Sequence, residues 1–212
     1  MTRTRKAWMT VMLMAALLVP ALAVNCLAAS PPADLTQQWL SRSVISGQPL
    51  YIVSRDQVCL GTYPGKSVLS AVFRYYGERK GLRVRAEVTD VYFSTQAPVD
   101  APWLASCVEL SVYAVGRQKI TQFVIIPDGD ARARVYPYRD INASATWKRT
   151  RKGYSINAFI PWKAIEGYSP GHRLLPVQAA INSKTPNGRV QATLTGQGNP
   201  WDQATFVGFR LK

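Results

Sequence analysis

LRVRAEVTD (82–90) is the stretch on which the fold turns. Leu82, Val84, Ala86 and Val88 alternate with Arg83, Arg85, Glu87 and Thr89. Successive side chains of a β-strand point to opposite faces, so the stretch reads as a strand with one apolar face and one charged face. The pattern extends in both directions. Upstream lie LYIVS (50–54), QVCLG (57–61) and VLSAVFRYY (68–76), with TYPGK (62–66) and GERKG (77–81) as turn or loop. Downstream, CVELSVYAV (107–115) alternates again. KITQFVIIP (119–127), ARVYPY (133–138), GYSINAFIPW (153–162), LLPVQAAIN (174–182), RVQATL (189–194) and TFVGFRL (205–211) follow. KAIEG (163–167) suits one helical turn, and KRTRK (148–152) a solvated hairpin tip. SPPAD (30–34) reads as a linker, and Val91 to Ser106 as a long loop holding Pro98 and Pro102. Roughly nine to eleven short strands without an amphipathic helix predict an all-β chain, an antiparallel β-sandwich of jelly-roll type.

Ahead of this domain, Arg3, Arg5 and Lys6 precede an apolar run from Ala7 to Val24, broken by Thr10 and Pro20. Small residues offer cleavage after Ala23 or Ala29. Residues 1–29 therefore read as a cleaved secretory signal peptide and 30–212 as the mature domain, periplasmic or secreted. The competing reading is a membrane anchor, but the run is short for a spanning helix and contains Pro20. Cys26 raises a third option, a lipid-modified cysteine, although Val24 and Asn25 stand where small residues normally precede one. Once the signal is removed, no run is long enough to span a bilayer.

The chain carries 26 Lys+Arg against 12 Asp+Glu, a net +14. The signal holds three of the basic residues and no acidic one, which leaves +11 on residues 30–212. A field of that size favours polyanions, and it equally serves solubility. By charge alone the candidates are acidic polysaccharide, lipid head-groups or nucleic acid. Cys59 and Cys107 fall in predicted strands of an exported domain, so a disulfide with Cα atoms about 4.4–6.8 Å apart is expected, against two buried thiols.

Several chemistries are missing. There is no Gly-rich phosphate loop, no Cys/His metal spacing and no GxSxG elbow. His172 is the single histidine, and Met1, Met9, Met12 and Met14 all fall in the signal, so haem axial pairs are absent. No Asp or Glu stands in a context that suggests a raised pKa. The expectation is no enzyme, no catalytic residue, no cofactor and no metal site. Asp90, Asp128 and Asp130 are turn carboxylates in positions to check for calcium, but they match no calcium-loop spacing.

Read in order, GLRVRAEVTD (81–90), CVELSVY (107–113), QFVIIPDG (122–129), GYSINAFIPWKAI (153–165), PGHRLLPVQAAIN (170–182) and TFVGFRL (205–211) resemble the family 9 carbohydrate-binding modules. The string 153–165 is the most specific of them, and the resemblance spans about Asp34 to the C-terminus. It implies a β-sandwich that binds sugar without catalysis. Taken with the charge, it makes a polysaccharide or oligosaccharide, acidic by charge, the expected partner, and nucleic acid is not expected. It further implies a pair of tryptophans around a terminal sugar, matched here by Trp103 and Trp201, with Glu109 and Asn199 reading hydroxyls. An indole suits the apolar C–H face of a pyranose, and carboxylate and amide groups suit its hydroxyls. Two departures stand out: Val124 replaces the family's arginine in QFVIIP, and Cys107 replaces the usual Asp. Trp39, Trp147 and Trp162 read as packing residues. For Trp103, Glu109 and Trp201, sugar contact and a merely structural place remain open alternatives. The competing function is a structural or partner-binding cell-envelope protein with the same fold and no sugar site. A small hydrolase, the third reading, would need two carboxylates about 5–10 Å apart in a cleft.

Overall fold

A computed structural model describes residues 33–98, 100–129, 131–136, 142–196 and 202–211. The expected signal peptide, Asn199 and Trp201 lie outside the described residues. One helix, α1 (Ala33–Ser41), precedes strands β1 (Pro49–Ile52), β2 (Val58–Leu60), β3 (Leu69–Glu78), β4 (Gly81–Asp90), β5 (Cys107–Ala114) and β6 (Lys119–Asp128). Then come β7 (Arg132–Tyr136), β8 (Ser144–Thr150), β9 (Gly153–Pro161), β10 (Leu174–Thr185), β11 (Gly188–Thr193) and β12 (Val207–Arg210). All 12 belong to one antiparallel sheet of order β1-β3-β4-β9-β8-β7-β6-β5-β10-β11-β2, with β12 paired to β10.

The sheet turns a corner at β7. That strand pairs with β6 from Val124↔Tyr136 to Asp128↔Arg132, yet among the described residues it pairs with β8 only at Arg132↔Thr146. On one side of the corner is a front layer of β1, β3, β4, β9 and β8. On the other is a back layer of β6, β5, β10, β11 and β2. Their inner faces share one core: Phe73, Val84, Ile156 and Ala158 meet Val108, Leu110, Ile125, Val177 and Ile181. Two apolar sheet faces closing on each other give the β-sandwich that the alternation predicts.

The layers differ on their outer faces. In β4, Leu82, Val84, Ala86 and Val88 are buried while Arg85 and Glu87 stand in water. In β5 every residue is buried, so its alternation separates two covered faces. The second cover is supplied at one end by α1. Trp39 of this helix is 0% exposed, packs on Tyr113 at 5.3 Å, and donates its indole N–H to the Gln203 carbonyl at 2.8 Å. At the other end, Ala97 and Ala105 of the 91–106 loop pack with Cys107, Val124, Ile126 and Tyr136.

Three expectations are corrected. The last two residues of the expected linker SPPAD, Ala33 and Asp34, belong to α1, and the first three lie outside the described residues. A nine-residue helix has little stability of its own, and docking of Trp39 supplies what its pattern does not show. KRTRK is largely strand, because β8 includes Lys148 to Thr150 and only Arg151 and Lys152 form the turn. Of β8's side chains only Ala145 is buried, too little apolar contrast to mark a strand. Cys59 and Cys107 are free thiols. Cys107 faces Asn182 of β10, Asn182 faces Gln191 of β11, and β11 pairs with β2 around Cys59. With two strands between them, they sit about 14 Å apart at ~4.8 Å per strand, beyond bridging reach.

Gly208 lets the helix sit on β12: a Cβ there would lie 2.4 Å from the Trp39 carbonyl oxygen and 2.9 Å from Leu174 Cδ1. Gly208→Ala is expected to destabilise the protein by about 1–3 kcal/mol through this overpacking, read as a lower urea midpoint at unchanged slope. Thiol titration of the protein lacking residues 1–29, unfolded without reductant, should find both cysteines free.

Candidate functional site

On its outer face β5 presents Cys107, Glu109, Ser111 and Tyr113, because Val108, Leu110 and Val112 point into the core. Glu109 lies in the middle of that face and is 5% exposed. A carboxylate so placed needs donors, and neighbouring strands provide them. Asn182 Nδ2 of β10 donates to Oε1 at 2.6 Å, and Gln191 Nε2 of β11 donates to the same oxygen at 3.0 Å. Gln122 Nε2 of β6 donates to Oε2 at 2.7 Å. Arg189 stands 3.9 Å from Oε1 and donates to Asn182 Oδ1 at 2.6 Å. Burial pushes the Glu109 carboxyl above its ordinary range, and the amides and Arg189 counter only part of that push. Cys107 accepts from Asn182 Nδ2 at 3.4 Å, and burial raises its thiol strongly too.

Above the Cys107 end of the face runs the 91–106 loop. Pro102 to Leu104 form a 3₁₀ turn that packs on β5, β6 and β10. Pro102 is buried, and Trp103 stands out at 40% exposure. Asp90 anchors the start of this loop: its buried carboxylate accepts from Ser183 Oγ of β10 at 2.7 Å and from the Tyr92 N–H at 3.2 Å. Ser94 and Ser106 close the loop on itself, the Ser106 N–H donating to the Ser94 carbonyl at 2.6 Å. Burial also raises the Asp90 carboxyl.

Next to this face, the residues flanking 197–201 are tied down. Gln178 Nε2 donates to Thr195 Oγ1 at 2.9 Å and to the Thr205 carbonyl at 2.9 Å. The Gly196 N–H donates to Thr193 Oγ1 at 3.1 Å.

Of the four residues singled out in the sequence, the Trp103 turn and Glu109 thus share the outer face of the back layer, whereas Asn199 and Trp201 fall outside the described residues. Gln122, Asn182, Arg189 and Gln191 complete the polar centre and were not singled out. Their signal is a polar residue inside an otherwise apolar strand, and pairing reveals that three strands aim such residues at one carboxylate. Trp39, Trp147 and Trp162 pack as expected. The Trp147 indole donates to the Asp128 carbonyl at 3.0 Å, and that of Trp162 to the Glu78 carbonyl at 3.0 Å while stacking on Tyr168 at 4.3 Å. Of the turn carboxylates, Asp128 pairs with Arg134 at 3.0 Å, Asp90 is fully buried, and Asp130 lies outside the described residues. No cluster of three metal-ligating groups occurs among the described residues. No helix among them is long and apolar enough to cross a membrane.

No protein-family model matches the sequence, and neither does any curated protein. Solved structures do. A family 9 carbohydrate-binding module from Caldicellulosiruptor kristjanssonii, solved with cellotriose, superposes with a TM-score of 0.56 at 16% identity, covering 80% of this chain and 92% of that one. The fold is that of the family 9 carbohydrate-binding modules. A module from the same organism in complex with glucose gives 0.58 at 15% identity, over 80% of this chain and 95% of its own. A candidate carbohydrate-binding protein from Bacteroides uniformis gives 0.53 at 16% identity, over 87% and 94%. At such identities the likeness establishes the fold.

Glu109 also gives the domain a pH signature. Its folded pKa is raised, so its burial as a charge weakens the fold at neutral pH. That penalty fades as pH falls through the raised value towards the ordinary 4.5. The difference in unfolding free energy between wild type and Glu109→Gln should therefore shift towards wild type on acidification, by at most about 1.4 kcal/mol per pH unit. Asp90 is common to both proteins and cancels. Denaturant titrations at several pH values between about 7 and 4.5 provide the check.

Proposed function

We propose that this protein is an exported, non-catalytic carbohydrate-binding domain, periplasmic or secreted, whose glycan enters a groove lined by Trp103, Glu109, Asn199 and Trp201. The observation that carries the reading is the buried Glu109 carboxylate, fixed by amides from three strands beside the exposed Trp103 turn, on the fold of modules solved with glucose and cellotriose. Burying a carboxylate is costly, and it suits a face that must present a rigid, directional polar centre to sugar hydroxyls. The indole of Trp103 supplies a flat apolar partner for a ring face. Net positive charge adds a preference for acidic over neutral glycans, weakening with salt because exposed charges are screened beyond about 8 Å.

A second reading has its own support. Three of the roughly four acceptor positions on a carboxylate are already taken at Glu109, and Val124 offers no donor beside it. A cell-envelope protein that keeps the sandwich for structure or partner binding would also show this arrangement.

Substitution separates the two. Trp103→Ala and Trp201→Ala should each weaken glycan binding by about 1–3 kcal/mol, in the range of aromatic contact residues, with the melting temperature held. Calorimetric titration against the best glycan from an array is the measurement. If no glycan binds, or if both variants bind as wild type does, the second reading stands.

A further inference from the structure

We propose that the outer face of the front layer, across β3, β4, β9 and β8, is a second binding surface, one that takes the carboxylate or sulfate groups of an acidic polysaccharide. It rests on the preference for acidic glycans proposed above, but not on the Trp103 groove, which lies on the opposite outer face of the sandwich.

Register builds the surface. Arg74 faces Arg85, Arg85 faces Asn157, and Asn157 faces Thr146, one row across four strands. At ~4.8 Å per strand the row is about 14 Å long. Arg83 and Lys148 flank it one pleat away on opposite sides. Arg85, Lys148, Asn157 and Thr146 are exposed and, together with Glu87, line a shallow groove of ≈ 390 Å³.

The charges on this row are not balanced. Like charges placed directly opposite across a strand pair repel, and Arg74 and Arg85 are so placed. Glu87 takes Arg74 at 3.4 Å, and Glu78 takes Arg83. Among the described residues, neither Arg85 nor Lys148 forms an ion pair. An anion bound on the row would offset the repulsion. The guanidinium of Arg85 lies over the Tyr76 ring at 5.4 Å, and that of Arg83 over Phe159 at 5.4 Å. Stacking restrains the Arg85 guanidinium without consuming its N–H donors, which suits forked recognition of carboxylate or sulfate, whereas the fork of Arg83 is already held by Glu78. Asn157 and Thr146 add neutral groups that can meet hydroxyls. Single-stranded nucleic acid would need bare aromatic faces on which to stack its bases, and here Tyr76 and Phe159 are covered by arginine.

The test titrates the purified protein with dextran sulfate, with neutral dextran and a single-stranded DNA oligonucleotide as controls. Dextran sulfate should bind, more weakly as salt rises from about 50 to about 300 mM, and neutral dextran should not compete. Replacing Arg74 and Arg85 together by serine should lower the affinity about tenfold or more. In the unaltered protein, bound dextran sulfate should protect Lys148 from acetylation several-fold, read by mass spectrometry, which needs no variant to fold. Wild-type affinity in the paired arginine variant, or no protection of Lys148, would overturn the proposal. So would tighter binding of the DNA than of dextran sulfate. Loss of dextran sulfate binding in Trp103→Ala, with the arginine pair variant unaffected, would overturn it and leave the groove standing.

Discussion

Everything in this structure hangs on one apolar core that a single curled sheet closes around. Val84 and Ile156 of the front layer meet Leu110 and Val177 of the back layer only because the sheet turns at β7, where pairing with β8 falls to one residue pair among the described residues. Each strand of period two gives one face to that core. What remains on the outer faces is then decided by what covers them, and the two layers are covered differently.

The back layer is buried twice. Helix α1 covers its Tyr113 end, the 91–106 loop covers its Cys107 end, and Glu109 lies between. Placing a carboxylate there is unfavourable unless donors surround it. The amides of Gln122, Asn182 and Gln191 arrive from three separate strands, so the sheet must be in register before the charge is tolerated. Asp90 joins the same scheme from the other side, tying the loop that carries Trp103 to Ser183 of β10. A rigid polar centre beside an exposed indole is the arrangement a sugar face needs.

The front layer is open. Its outer face carries Arg74, Arg83, Arg85 and Lys148, and its aromatic rings already hold guanidinium groups. Part of the excess of basic residues in the sequence is therefore gathered on this face. The sandwich thus carries a buried carboxylate under the exposed Trp103 turn on one side and a row of basic side chains on the other.

The β-sandwich was legible in the sequence because alternation is local: LRVRAEVTD reports its own buried and charged faces without reference to any neighbour, and β4 buries the four apolar residues it predicts. CVELSVY was legible as a strand but not as one covered on both faces, since the cover comes from α1 and a loop distant in sequence. Strand β8 and helix α1 escaped for a related reason: one has a single buried side chain and the other a single anchoring tryptophan. Trp103 and Glu109 could be marked from their contexts. The amides around Glu109 could not, nor could the separation of Cys59 from Cys107. Sequence determines which way a side chain points from its own strand, whereas strand order and register determine which side chains meet, and those depend on pairings between residues far apart in the chain.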